Sequence, residues 1–320
     1  MKIYSILRES AAILGVVTLL SACTKNFEAS NISPTQPASV PPEYILSNVQ
    51  LNGFLAEGAN WWQVGSWVEQ WASGSLSAPS QYLEDRDIYE TRNWAAHYGY
   101  IHNLAQIRNR LLKGQEESQS GKTKLAIAKI NELYIWQRMT DFWGDIPYSE
   151  TGLPESEIIL TPKYNTQEEI YKSMIVELDQ AMSRLSASDL SYGNADLVYK
   201  GNVNAWKKFG NMLKLRIGFR LRYADAALSR KTVEEALAGP IFESNADNAN
   251  MPTNPQDGFA IGYHPVIGGY NGSKELNQLA APFIDMLLAK NDPRLPKIPE
   301  PTENSKKDGN PIYRGLGVAL

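Results

Sequence analysis

Apolar residues recur at three- and four-residue steps along most of the chain from residue 43 onward, and this spacing predicts amphipathic helices. No segment alternates apolar and polar residues over many positions, so little β structure is expected. Helices of about 20 residues in antiparallel pairs favour a mostly α fold, either a bundle or an α-solenoid of helical hairpins. The predicted helices cover 93–112, 122–140, 167–185, 203–224, a short segment from Thr232 to Gly239, and 276–289.

Local signals mark several helix ends. Residues 166–169 (Thr-Gln-Glu-Glu) and 232–235 (Thr-Val-Glu-Glu) are capping boxes, which satisfy free backbone N–H groups in a first helical turn. Pro282 is expected at the start of a helix, because inside one it removes a hydrogen bond. Long loops, which are often functional, are predicted over 72–91, 141–165, 188–202, 240–275 and 291–320.

The N-terminus is typical of an exported protein. Lys2 and Arg8 are positively charged, and the apolar run 11–20 follows. This run is roughly 15 Å long as a helix, half of a ~30 Å bilayer core, which suits a signal peptide and is too short to span. Residues 24–42 are polar and Pro-rich, and we interpret them as a flexible tether. The sequence therefore divides into a signal peptide (1–22), a tether (23–42) and a helical domain (43–320).

Composition excludes several classes of site. The chain is 43% hydrophobic, which is enough for a sizeable core, and its net charge of −4 disfavours nucleic-acid binding. The basic residues of 203–224 point in all directions around that helix, so we expect their stems to cover neighbouring helices and their charges to pair with acids. The single cysteine, Cys23, excludes an internal disulfide and a Cys-rich zinc site.

Motifs for catalysis or for a cofactor are not found. The sequence contains no HExxH, no P-loop and no G-x-S-x-G, so we expect no enzyme activity and no cofactor. His97 and His102 are five residues apart on one predicted helix, which makes them a poor metal pair. Residues 247–250 lack the Gly and the distal Glu of an EF-hand calcium loop.

Eight tryptophans and sixteen tyrosines are many for 320 residues. Trp and Tyr combine a large apolar face with a polar group, which suits stacking on sugar rings as well as core packing. For Trp67 and Trp71, beside a Gly/Ser loop, a ligand contact and a core position are equally supported, whereas Trp61 and Trp62 favour the core. The other candidate ligand contacts lie in aromatic loops, the later of which is also glycine-rich: Tyr82, Tyr263 and Tyr270.

Four segments carry a family resemblance. Residues 140–150 (TDFWGDIPYSE) resemble the "TD-x-WGD-[IV]-PYSEA" segment of the SusD/RagB family of outer-membrane lipoproteins. Residues 206–216 (WKKFGNMLKLR) are similar to that family's "WKKFANSLKLR" helix, and 283–296 to its "F-x-D...NDPRLP" turn. Residues 20–23 (Leu-Ser-Ala-Cys) resemble a bacterial lipobox, which implies that Cys23 carries the lipid anchor.

The resemblance implies a cell-surface binding protein. In this family a helical body of tetratricopeptide-like hairpins, an α-solenoid, supports long loops that capture an oligosaccharide or another nutrient. The partner is a TonB-dependent transporter of the SusC type, no bond is made or broken, and only the lipid anchor enters the outer membrane. Family members usually continue well past the Tyr-x-Gly region, here 313–317, so we expect an apolar patch to be exposed around Gly315–Leu320.

Three other functions stay open at this stage. Some members of the family handle peptides, so a peptide ligand is the nearest alternative. A surface glycoside hydrolase could use paired carboxylates such as Asp141 and Asp145, although both are better explained as turn residues that accept backbone N–H groups. The third alternative is a lid that closes the transporter without ligand specificity.

Overall fold

Consecutive α-helices make up most of the chain that the structure describes. The computed structural model describes residues 40–58, 65–72, 94–251, 278–298 and 311–314, without the side chains of 54–58, 71 and 278. The helices are α1 Pro42–Gly58, α2 Ala95–Gln106, α3 Gln119–Trp143, α4 Gln167–Ser183, α5 Val203–Arg220, α6 Ala226–Leu237 and α7 Ala281–Ala289. The strands are pairs of residues: β1 Trp71–Ala72, β2 Ile146–Pro147, β3 Tyr164–Asn165 and β4 Gln278–Leu279. The mostly α fold is confirmed.

Helices α1 to α6 form two layers. Each packs against the next one in sequence, and α3 also contacts α1 and α5. Therefore α1, α3 and α5 form one layer, and α2, α4 and α6 pack across it as the second members of helical hairpins. None of the helices in the described ranges is long and apolar enough to cross a membrane.

The core lies between these layers. It is built from aliphatic residues at the three- and four-residue steps seen in the sequence, together with Trp136 and Trp206. Its fully buried members include Leu46, Ile101, Leu104, Ile127, Ile130, Leu133, Met139, Ile170, Met174, Leu178 and Ile217.

The helix starts confirm one predicted cap and overturn another. Thr166 accepts the Glu169 N–H and completes the predicted capping box of α4. A helix starting at Thr232 was wrong: α6 begins at Ala226, because the Asp225 side chain accepts the Leu228 N–H and caps it. Thr232 is buried inside α6, so its capping-box pattern is not used. Pro282 does lie in the first turn of α7.

Several other helix bounds differ from expectation: α3 extends beyond the predicted 122–140 at both ends, and α5 ends at Arg220 where 224 was predicted. Helix α2 ends at Gln106 and continues as a π-helical turn, Ile107–Leu111, where one continuous helix was predicted to residue 112. Helix α7 begins at Ala281, because the preceding residues pair as β4 with β1.

A buried carboxylate, that of Asp196, joins α1 to α5. Asp196 is 0% exposed and accepts hydrogen bonds from Gln50 Nε2 at 3.0 Å and Trp206 Nε1 at 2.7 Å. Three backbone N–H groups of residues 198–201 donate to it at 3.0–3.3 Å. The Gln50 side-chain oxygen accepts the Leu197 N–H at 2.8 Å. Since a buried charge is costly unless it is hydrogen-bonded, these donors fix the loop before α5 in one conformation.

A buried ammonium, that of Lys214, joins α5 to both of its neighbours. Lys214 is 5% exposed, and its Nζ lies 2.7 Å from Asp179 Oδ1 on α4 and 2.8 Å from Glu235 Oε2 on α6. Burial alone would lower the pKa of Lys214, but the hydrogen bonds to both carboxylates raise it above its ordinary value. The predicted pairing of this basic helix with acids is confirmed here, and again at Lys208 with Asp247.

Glycine allows α5 and α6 to pack closely. A Cβ built on Gly218 would lie 2.9 Å from Val233 Cγ2 and 3.2 Å from Thr232 Cβ. Both neighbours are β-branched residues of a helix, whose side chains have little rotamer freedom to move away. A Cβ on Gly99, in α2, would meet nothing within 4 Å.

We predict that Asp196→Asn destabilises the fold by about 3 kcal/mol. The NH₂ group of the asparagine would face N–H donors that the two carboxylate oxygens of Asp196 now accept. Urea unfolding followed by tryptophan fluorescence measures this change. Glu234→Gln is the matched control: its side chain is exposed and pairs with exposed Arg230, so the expected change is within about 0.5 kcal/mol. Equal effects of the two substitutions would contradict the assigned role of Asp196.

Gly218→Ala and Gly99→Ala are expected to change the stability of the protein in opposite directions. At Gly218 the added methyl group overpacks the α5–α6 contact, at a cost of about 1–3 kcal/mol. At Gly99 the methyl group meets open space, and the higher helix propensity of alanine stabilises the protein by about 0.5–1 kcal/mol. Thermal unfolding of both variants, compared with the parent protein, tests the close packing; stabilisation by both would refute it.

Candidate ligand-binding site

A short antiparallel ladder joins Trp71, a predicted ligand contact, to the chain that precedes α7. Strand β1 pairs with β4, with Trp71 opposite Leu279 and Ala72 opposite Gln278. The Ala280 N–H, at the start of α7, donates to the Gln70 carbonyl at 3.1 Å and extends the pairing by one bond. The ladder therefore fixes the backbone around Trp71 to the chain that enters α7.

Trp67 lies on the turn before this ladder. The Gln70 N–H donates to the Gly65 carbonyl at 2.8 Å, and Glu69 adopts a φ of 55°, so the chain reverses here. Ser66 is buried, while Trp67 is 38% exposed. This partial exposure argues against a fully buried core position.

The ladder also sets where the two aromatic loops are attached. Segment 73–93, which carries Tyr82, follows Ala72, and segment 252–277, which carries Tyr263 and Tyr270, ends just before Gln278. Because Ala72 and Gln278 are partners, their Cα atoms lie about 5 Å apart. The start of segment 73–93 and the end of segment 252–277 therefore adjoin neighbouring backbone positions.

Several predicted positions lie outside the described residues. They are the lipidation site Cys23, the ligand candidates Tyr82, Tyr263 and Tyr270, the pair Trp61 and Trp62, the apolar end Gly315–Leu320, and the side chain of Trp71.

The segment 140–150 shapes a turn, as interpreted from the sequence. Gly144 has a φ of 71° and ends α3, and its carbonyl accepts the Thr140 hydroxyl at 2.7 Å. β2 then pairs with β3, and Asp145 Oδ1 accepts the Gln167 N–H at 2.8 Å, at the start of α4. Tyr148 is buried and donates its hydroxyl to Glu177 at 2.6 Å. The conspicuous motif residues therefore connect α3 to α4.

Asp141 lies at the end of α3 beside a cleft of about 460 Å³ that Lys172, Arg220 and Asp225 also line. Its carboxylate accepts the Tyr171 hydroxyl and lies 2.9 Å from Arg220 Nη2. Burial raises the pKa of Asp141 above its ordinary value, against the opposing effects of Tyr171 and Arg220. Side chains bind the Asp141 carboxylate, and a backbone N–H donates to the Asp145 carboxylate. These contacts support structural roles for both residues.

Arg294 satisfies a nearby carboxylate, as expected. In the turn after α7 its guanidinium lies 2.7 Å from Asp292 Oδ2 and lowers the pKa of Asp292 to about 2.

Within the described ranges no three His, Cys, Asp or Glu side chains come together as a metal site would require. His97 is buried, and His102 contacts Gln106 at 3.1 Å on the exposed side of α2.

The layered helical hairpins place this protein among the mostly α-helical folds of the α-solenoid type. The family model described as "Starch-binding associating with outer membrane", SusD-like, matches residues 34–319. The chain belongs to this SusD-like family. A search of curated proteins gives no match.

Solved structures agree with this fold. A chitin-binding protein is 27% identical, with a TM-score of 0.68 over 88% of this chain and 60% of its own. A SusD-like protein titled "Bacteroidetes AC2a" is 22% identical, with a TM-score of 0.67 over 80% of this chain and 50% of its own. A SusD homologue from Bacteroides fragilis is 20% identical, with a TM-score of 0.65 over 88% and 59%. This chain thus spans about half to three-fifths of their lengths.

Replacing Arg220 by Gln should raise the pKa of Asp141 further, because a neighbouring positive charge is lost. Because the pKa of Asp141 is raised in the folded protein, the folded state binds the carboxyl proton more tightly than the unfolded chain does. The contribution of Asp141 to stability is therefore present below pH 3.8 and is lost as the pH rises through the raised pKa. Carboxyl ¹³C NMR titration measures both variant and parent. Arg222→Gln is the control, since Arg222 stacks on Tyr223, and an unmoved Asp141 pKa in Arg220→Gln would contradict the assigned pairing.

Proposed function

We propose that this protein captures an oligosaccharide at the cell surface and delivers it to a TonB-dependent outer-membrane transporter of the SusC type. The family is described as starch-binding and associated with the outer membrane, and one similar structure is that of a chitin-binding protein. Both support a glycan as the ligand. The membrane attachment we propose is a lipid on Cys23, supported by the lipobox-like residues 20–23.

The observation that carries the proposal is the β1–β4 ladder. It attaches two aromatic segments, distant in sequence, at neighbouring backbone positions beside the partly exposed Trp67. An aromatic face beside polar loop residues suits a sugar ring, whose C–H face stacks while its hydroxyls form hydrogen bonds.

Binding without turnover fits the described carboxylates. A glycosidase needs two carboxyl groups facing one bond, one of them protonated. Asp141 and Asp145 are instead engaged by an arginine and by the first turn of α4, respectively. Glu132 and Glu177 are both bound by Lys129, at 2.9 and 3.2 Å.

Trp67→Ala and Trp71→Ala are each expected to weaken oligosaccharide binding about tenfold, equivalent to about 1.4 kcal/mol. Isothermal titration calorimetry with chitin and starch oligosaccharides measures the affinity, and thermal unfolding verifies that each variant is folded. Tyr44→Ala is the matched control, because Tyr44 is a 68% exposed aromatic residue on α1, away from the ladder in sequence.

The outcomes separate the alternatives. Loss of affinity in both tryptophan variants at unchanged melting temperature supports the proposed site. Lower stability with full affinity would place the tryptophans in the core. Binding of peptides in place of glycans favours the peptide-binding alternative, and release of reducing ends over time would refute a purely binding function.

A further inference from the structure

Glu69 has a backbone conformation that residues other than glycine rarely adopt. The Gln70 N–H donates to the Gly65 carbonyl at 2.8 Å. The Glu69 N–H donates to the Ser66 carbonyl at 3.0 Å. These two bonds form a Schellman motif, which ends the short helical turn 65–67 and places Glu69 in the left-handed region, with a φ of 55°. Glycine is the usual residue at this position, because a Cβ there is crowded by the backbone.

The same motif ends α7 with a residue that tolerates the conformation better. The Asp292 N–H donates to the Leu287 carbonyl at 2.9 Å, and Asn291 adopts a φ of 47°. Asparagine is enriched in the left-handed region, whereas glutamate is not. Glu69 therefore costs stability that a glycine at the same position would not cost. Residues strained in this way cluster at functional sites, where the side chain has a use that offsets the cost.

The location of Glu69 gives its carboxylate such a use. Glu69 is partly exposed and lies two residues after Trp67 and two residues before Trp71, the two tryptophans of the proposed glycan site. An aromatic ring stacks on the C–H face of a sugar, and a carboxylate accepts hydrogen bonds from the hydroxyl groups around that face. Such a bond to a charged acceptor is roughly twice as strong as one to a neutral acceptor.

The segments that adjoin the β1–β4 ladder are acidic as well. Segment 73–93 holds four acidic and two basic residues, and segment 252–277 holds two acidic residues and one basic residue. With Glu69, these segments carry a net charge of −4, which equals that of the whole 320-residue chain. The rest of the chain is therefore neutral on balance. An excess of one sign at a binding site repels ligands of the same sign.

We propose that Glu69 is a specificity-determining residue of the glycan site. Its carboxylate accepts hydrogen bonds from the hydroxyl groups of an uncharged oligosaccharide, and together with the acidic segments it excludes glycans that carry carboxylate or sulfate groups. This inference rests on the proposed function and adds to it the class of glycan that is captured.

Isothermal titration calorimetry with oligosaccharides of six sugars tests the charge preference. The probes are the chitin and starch hexasaccharides, which are uncharged, and hexagalacturonate, which carries one carboxylate on each sugar. The protein is expected to bind hexagalacturonate at least about tenfold more weakly than the better of the neutral probes at low salt, with a smaller difference at high salt. Glu69→Gln should weaken the neutral probe roughly fivefold and strengthen hexagalacturonate roughly threefold.

Glu69→Gly separates a ligand role from a structural one. Glycine relieves the left-handed strain, so the melting temperature should rise by about 2 °C while affinity for the neutral probe falls at least roughly fivefold. Lys200→Gly is the matched control. Lys200 is exposed in the loop before α5 and also has a left-handed φ, of 53°. Its replacement should raise the melting temperature similarly and leave the affinity unchanged.

Four results would overturn the inference. Equal affinity for hexagalacturonate and the neutral probes leaves glycan capture intact but refutes the exclusion of acidic glycans. Unchanged affinity in Glu69→Gln and Glu69→Gly refutes the role of this residue. A melting temperature lowered by Glu69→Gly assigns the side chain to the stability of the turn and also refutes a ligand role. If the protein binds none of the three probes, the proposed glycan capture fails as well.

Discussion

The buried carboxylate of Asp196 is the constraint on which much of the helical body depends. A fully buried charge would be prohibitive without compensation, and here Gln50, Trp206 and backbone N–H groups supply five hydrogen bonds. Helix α5 is then fixed to α4 and α6 by the buried Lys214 ammonium. Asp196 thus connects α5 to α1 through the loop that precedes α5. Lys214 connects α5 to α4 and α6.

The helical body also holds the short β1–β4 ladder in place. The β1–β4 ladder involves two residues from each strand, far too few to be stable alone, but β4 leads directly into α7, whose Ile284 and Leu287 are buried. The ladder therefore joins the backbone at Trp71 and Ala72 to the chain that enters α7. The carboxylates of Asp141 and Asp145 serve structural contacts, which is consistent with a family that binds its ligands.

Sequence periodicity predicted the helices well where apolar spacing and a cap agreed, as in α4 with Thr166. It failed at α6, because Asp225 caps the helix seven residues before a second, equally good capping pattern at Thr232. It could not find the β1–β4 ladder, since two-residue strands have no periodicity. Trp67 and Trp71 were predicted as ligand contacts from their position in a tryptophan cluster beside a Gly/Ser loop, and this assignment stays a prediction.

The most direct test of the account is to observe the indole N–H groups during ligand addition. A ¹⁵N-tryptophan-labelled sample titrated with a chitin or starch oligosaccharide should show shifts for Trp67 and Trp71. The Trp206 resonance should stay fixed, because its indole N–H is buried against Asp196 at 2.7 Å. Shifts at Trp206 with none at Trp67 or Trp71 would contradict the separation of a rigid helical body from a glycan site at the ladder.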